Sequence, residues 1–126
     1  MVIISSPNTP YVKLDVGSCT LSVSGKSYPE DPSLFYDPIV LEINKCINKL
    51  KTKEITIKFT LEMVSSTSIR YLFNLVRNLY KSPTNVVFYW YYESDDIDML
   101  EQGQDFQTSL PKLDFHLIGV DEFNKV

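Results

Sequence analysis

Four consecutive hydroxyls, Ser65, Ser66, Thr67 and Ser68, are the residues whose type and spacing point most directly to chemistry. They lie between a segment of alternating apolar residues and one of helical periodicity, and so at the start of a helix. One hydroxyl there serves as an N-cap, accepting an orphan backbone N–H and adding about 1 kcal/mol. Four in a row exceed what a cap needs. The turn over Thr67, Ser68, Ile69 and Arg70 carries no acid. The positive end of the helix dipole is therefore open to an anion, with Arg70 close by. A phosphate attached here brings about −1.5 to −2 charges. On the residues alone, a plain cap and a phosphorylation site both stand open.

Other chemistry is sparse. The glycines at 17, 25, 103 and 119 are scattered and form no phosphate-cradling loop. His116 alternates with Phe115 and Leu117, which puts it on a polar sheet face rather than in a catalytic motif. Cys19 and Cys46 stand far apart in sequence, with no further ligand at metal spacing, and read as reduced thiols packed as small hydrophobes. The run Glu93, Asp95, Asp96, Asp98 suits a helix start. It lacks the glycine and closing glutamate of a calcium loop, so a metal-dependent enzyme built on 93–98 is the weaker alternative. The expectation is a chain without catalysis, metal or cofactor.

The elements that must position these residues follow from periodicity. Residues 1–9 read as a loose lead-in, with Pro7 and Pro10 at its end. Tyr11 to Val16 and Cys19 to Ser24 read as strands turned at Gly17, the second ending at Gly25 and Tyr28-Pro29-Glu30. Asp31 to Leu50 reads as a helix capped by Asp31 with Pro32 in its first turn; Pro38 is a candidate kink, and Lys49, Lys51 and Lys53 crowd its exit. Ile55, Ile57, Phe59 and Leu61 alternate with Thr56, Lys58, Thr60 and Glu62, a strand with one apolar and one polar face. That alternation predicts helices on one side of the sheet only. Ile69, Leu72, Phe73, Val76 and Tyr80 then form a helical stripe ending near Pro83. A strand over Asn85 to Tyr92, a helix over Asp95 to Phe106 and a strand over Leu113 to Leu117 complete the order ββαβαβαβ. Repeated strand–helix–strand units imply parallel pairing with right-handed crossovers. Tyr89 and Tyr91 fall on the face opposite Trp90, an aromatic patch suited to a partner if that face is open.

The whole chain sets the outer bounds. Its 126 residues predict a single α/β domain, 44% hydrophobic and 22% charged, as in ordinary globular proteins. The net charge of −4 argues against a general nucleic-acid binder, which needs a basic face. No apolar stretch approaches the roughly 20 residues of a membrane span. Met1 to Ser6 lacks the basic and apolar regions of a signal peptide, and the expected location is the cytoplasm.

Three blocks in order resemble one family. Gly25 to Asp31 with Phe35-Tyr36-Asp37-Pro38 resembles the opening of the SiaC family of regulatory phosphoproteins. Ser65-Ser66-Thr67-Ser68 resembles that family's Asn-Thr-Ser-Ser helix start, and Trp90 to Phe106 resembles its most distinctive block. Leu110-Pro111 through Phe115 is similar to its closing strand. The resemblance spans nearly the whole chain. It implies a STAS-like α/β fold, a mixed sheet of about five strands with helices mainly on one face. It also implies a non-catalytic switch that a protein Ser/Thr kinase phosphorylates and a PP2C-type phosphatase resets. In the characterised branch of the family the unphosphorylated form binds and activates a diguanylate cyclase, in cyclic-di-GMP and biofilm signalling. An anti-sigma-antagonist-like partner-switching module is the alternative. Carried over by position, the phosphorylated threonine falls on Ser66, with Thr67 next. Ser65 stands where the family has asparagine, and Ser66 where it has threonine. Ser65, Ser68, Arg70, Tyr28 and Glu30 are the expected switch surface.

Overall fold

The computed structural model describes residues 1–49 and 54–123. Six strands form one sheet in sequence order: β1 (Val2–Ile3), β2 (Tyr11–Asp15), β3 (Thr20–Ser27), β4 (Glu54–Val64), β5 (Asn85–Glu93) and β6 (Asp114–Val120). Three helices connect the last four strands: α1 (Pro32–Lys49), α2 (Ser66–Lys81) and α3 (Ile97–Ser109). β1, β2 and β3 pair antiparallel, whereas β3 to β6 pair parallel. Each crossover moves one strand along in the same direction. Right-handed crossovers then place all three helices on one face.

Burial agrees with that face. Ile55, Ile57, Phe59 and Leu61 of β4 are buried, and Thr56, Lys58 and Thr60 between them are only half-buried. Against the apolar face pack Tyr36, Ile39, Ile43 and Cys46 from α1, Leu72 and Val76 from α2, and Met99 and Phe106 from α3. Among the described residues no helix is long and apolar enough to cross a membrane.

Three sequence expectations need correction. The lead-in over 1–9 is not loose throughout. Val2 and Ile3 pair with Lys13 and Val12, and the Leu14 N–H donates to the Met1 carbonyl at 2.9 Å, so the sheet has six strands rather than five. Gly25 does not end its strand. It takes φ +100° at an irregularity where Gly25 pairs with Leu61 but Lys26 pairs with Met63. The extra residue, Glu62, reverses the inward–outward parity of β4. Val64 therefore packs on the core while Met63 is exposed, just before the hydroxyl cluster. Cys19, read as the first residue of a strand, sits in the turn before β3 with φ +49°.

Helix limits shift slightly. Asp31 caps α1 as expected, its carboxylate accepting from the Ser33 and Leu34 amides at 3.1 and 3.3 Å. The helix runs through Pro38. The expected end at Leu50 and the lysines at 51 and 53 lie outside the described residues. α3 starts at Ile97, because the Asp96 carboxylate accepts the Met99 N–H at 3.1 Å and acts as its cap.

Candidate functional site

The four hydroxyls fall at the start of α2, and the structure assigns them different tasks. Ser65 is the N-cap. Its backbone is extended (φ −73°, ψ 158°), and its hydroxyl accepts the Ser68 N–H at 3.2 Å. Its carbonyl takes the Ile69 N–H at 2.9 Å, and its own N–H donates to the Ser27 carbonyl at 2.9 Å. The amides of Ser66 and Thr67 are left to solvent or to an anion. Thr67 is exposed, with its hydroxyl 3.3 Å from that of Ser65. Ser66 is exposed at the first helical position and, among the described residues, stands outside this network.

Ser68 is not on the surface. It is 0% exposed and accepts from the Ser27 hydroxyl at 3.2 Å. Ser27 is equally buried, and its hydroxyl shares a 2.8 Å hydrogen bond with the Tyr36 phenol. These three hydroxyls from β3, α1 and α2 form a closed cluster beneath the helix start. Burial pushes the Tyr36 phenol up to about 12, with the Ser27 hydrogen bond acting in the opposite direction. The Tyr36 ring stacks on Tyr71 with centroids 5.5 Å apart, and the Tyr71 phenol donates to the exposed Asp37 carboxylate. Burial first, and then that bond, hold the Tyr71 phenol well above its ordinary range.

The remaining expected surface residues are spread along one edge. β3 and β4 are parallel neighbours, so the loop after β3 and the start of α2 meet at the carboxyl ends of the strands. Glu30 is exposed in that loop. Tyr28 is half-buried, its N–H donating to the Asn8 carbonyl at 2.7 Å. Arg70 is exposed one turn beyond Ser66, at the i+4 spacing that lets it reach a charge on that residue.

Rival sites gain little. His116 lies on the open sheet face, 2.9 Å from Asp114 and stacked on Tyr89 at 4.8 Å. Tyr91 and Lys58 flank the same Tyr89 ring at 6.4 and 5.9 Å. Trp90 is buried, its indole N–H donating to the Met99 carbonyl at 3.1 Å, and belongs to the core. Among the described residues no three His, Cys, Asp or Glu side chains gather as a metal-binding group. Cys19 and Cys46 are free and buried in the core; burial, then a hydrogen bond donated to Cys46, pushes the Cys19 thiol up to about 12.

Two features escaped sequence reasoning. Ser27 lies beyond the expected strand end at Gly25 and Tyr36 within the expected helix, with no sign in the sequence that they meet Ser68. A cleft of about 570 Å³ also opens between α1 and α2, floored by Ile43, Ile47 and Leu75 and rimmed by Asn44, Asn48, Asn74 and Asn78. Its signal was present: asparagine is a poor helix former, and here it recurs at i, i+4 beside both apolar stripes.

Comparison with known proteins gives a concordant result. A family model described as SiaC family regulatory phosphoprotein matches residues 3–120. No match emerges among curated protein sequences. The structure of the diguanylate cyclase SiaD in complex with its activator SiaC, from Pseudomonas aeruginosa, superposes with a TM-score of 0.84 at 17% identity, covering 95% of this chain and 99% of that one. Apo-SiaC from the same organism superposes with a TM-score of 0.78 at 18% identity, covering 94% and 97%. At such identity the likeness establishes the fold, and the family match covers nearly the whole sequence. The chain belongs to the SiaC family of regulatory phosphoproteins.

Proposed function

We propose that this chain is a non-catalytic switch, phosphorylated on Ser66, that binds and regulates an effector. Phosphoryl transfer joins the Ser66 Oγ to the γ-phosphorus of a nucleoside triphosphate bound by a protein Ser/Thr kinase. The bond from that phosphorus to the bridging oxygen breaks, the diphosphate leaves, and the hydroxyl proton passes to a base of the kinase. A PP2C-type phosphatase reverses the modification. The effector is a diguanylate cyclase engaged by the unphosphorylated form, as SiaC of Pseudomonas aeruginosa is the activator of SiaD. Partners of this kind place the switch in the cytoplasm.

The observation that carries the reading is the division among the four hydroxyls. Ser65 is engaged as the cap, Ser68 is buried, Thr67 leans on Ser65, and Ser66 is exposed. A phosphate on Ser66 would meet two unused amides, the helix dipole and Arg70, so the fold tolerates it while the surface charge changes sharply. The test is to incubate the chain with ATP and a protein Ser/Thr kinase of its source organism, map phosphopeptides, and measure cyclase binding before and after. Phosphate is expected on Ser66, with loss of binding. Ser66→Ala is expected to change stability by no more than about 0.5 kcal/mol and to bind constitutively. Ser65→Ala, which removes the cap, should lose about 0.5–2 kcal/mol in urea unfolding. Phosphate elsewhere, or none, refutes the assignment.

A further inference from the structure

We propose that the buried hydroxyl cluster of Ser27, Tyr36 and Ser68 determines which hydroxyl is phosphorylated, by fixing the register in which α2 begins. The proposal rests on the switch reading above and names its specificity-determining residues. Serine and threonine are both good N-caps, so Ser65-Ser66-Thr67-Ser68 is degenerate: the helix could start on any of them. The choice has chemical consequences. A cap hydroxyl is bonded to the third amide of the helix and turned back along it, whereas the first helical residue projects from its end. With Ser65 as cap, Ser66 is free. With Ser66 as cap, its own hydroxyl is engaged and Thr67 takes the projecting position.

What selects the first register lies outside α2. Ser27 holds both ends of the opening turn: its carbonyl accepts the Ser65 N–H at 2.9 Å, and its hydroxyl donates to Ser68 at 3.2 Å. Tyr36 bonds the same Ser27 hydroxyl at 2.8 Å and fixes its orientation. A shift of the cap either slides the helix by a residue, which rotates the turn by about 100° and takes Ser68 out of the cluster, or unwinds Ser66 alone, which pulls the Ser65 N–H off the buried Ser27 carbonyl. Ser27 and, with Ser68 gone, the Tyr36–Ser27 pair would then be buried with unmet hydrogen-bonding capacity, which folded interiors avoid. Ser27 and Tyr36 are thus positioning residues. Neither has to touch the kinase or the phosphate.

The test compares wild type with Ser27→Ala and Tyr36→Phe, and with Tyr71→Phe as control. The control removes the neighbouring bond to Asp37 but keeps the ring that stacks on Tyr36, so the three cluster hydroxyls keep their partners. After kinase treatment, the ratio of phosphate on Ser66 to phosphate on Thr67 and Ser68 is read by mass spectrometry. Ser27→Ala is expected to lower that ratio by about tenfold, the scale of one buried hydrogen bond. Tyr36→Phe should lower it less, and Tyr71→Phe should leave it unchanged even if the protein melts earlier. Amide exchange, measured without kinase, should show faster exchange at Ser68 and Ile69 in Ser27→Ala than in Tyr71→Phe. Where Ser27→Ala fails to fold, Tyr36→Phe decides by the same two readouts. A wild type phosphorylated on Ser66 with an unchanged ratio in both cluster variants overturns the selection alone. A wild type that takes no phosphate over 65–68 overturns the switch reading and the selection with it.

Discussion

Tyr36 shows how one side chain ties stability to pH. Its phenol is enclosed, 1% exposed, and bonded to Ser27. Burial moves its titration from the ordinary 10.0 up to about 12. The fold favours the neutral phenol, so this contribution is fully present below pH 10 and is lost as pH rises from 10 to 12. Over that window the unfolded chain releases its proton first, and stability must fall with pH. The Cys19 thiol, raised from 9.0 to about 12, acts with the same sign and begins earlier, and Tyr71 adds to the same limb. Urea unfolding from pH 7 to 12 should therefore give a plateau and then a descent. Tyr36→Phe should lose about 1 kcal/mol at pH 7 by removing a buried hydrogen bond, yet descend less steeply between pH 10 and 12. An unchanged slope would show that the phenol does not titrate with unfolding. The same bond explains why the site was only partly legible. Four adjacent hydroxyls announce a special helix start, but the partner of Ser68 lies 41 residues earlier. Nothing about a serine near the end of a strand marks it as buried.

Among the elements, α3 depends most on a single position. Gly103 faces β5 and β6, and a Cβ there would stand 2.6 Å from Leu117 Cδ1 and 2.8 Å from Trp90 Cδ1. The leucine tip can rotate away. Trp90 cannot, because it is buried and its indole N–H is bonded to the Met99 carbonyl of α3 itself. Gly103→Ala sets a helix-propensity gain of about 1 kcal/mol against an overpacking cost of about 1–3 kcal/mol. We expect a net loss on the order of 1 kcal/mol, with a change in tryptophan fluorescence as the indole is displaced; equal or greater stability would mean that α3 shifts freely on the sheet. Elements were legible where a period ran long enough to count. β4 alternates over four apolar positions and α2 carries a full helical stripe, and both lie where periodicity put them. β1 has two residues, too few for any period, and exists only through its pairing with β2. Gly25 read as a stop because glycine weakens a strand, whereas here its positive φ accommodates the bulge that lets β3 continue to Ser27.

At the scale of the molecule, the sheet order separates two surfaces. The parallel strands advance in one direction, so the three helix starts and the loops after β3, β4 and β5 share the carboxyl edge. The uncovered face lies across the sheet from the helices, with Lys13, Ser22, Lys58, Tyr89 and His116 aligned by register across five strands. A kinase acting on Ser66 must approach the edge, where Glu30 is exposed in the loop of the neighbouring strand. It has no need of the open face. Glu30→Ala should therefore slow phosphorylation of Ser66 with little change in stability, since surface substitutions typically stay within about 0.5 kcal/mol. Tyr89→Ala should leave the phosphorylation rate unchanged while costing about 0.2–1 kcal/mol through its lost cross-strand contacts with Lys58 and His116. Initial rates measured on both variants at one kinase concentration, beside their urea midpoints, separate recognition from stability. A slowed Tyr89→Ala with an unaffected Glu30→Ala would place kinase docking on the open face, and Ser66 would then be reached from a partner that wraps around the edge of the sheet.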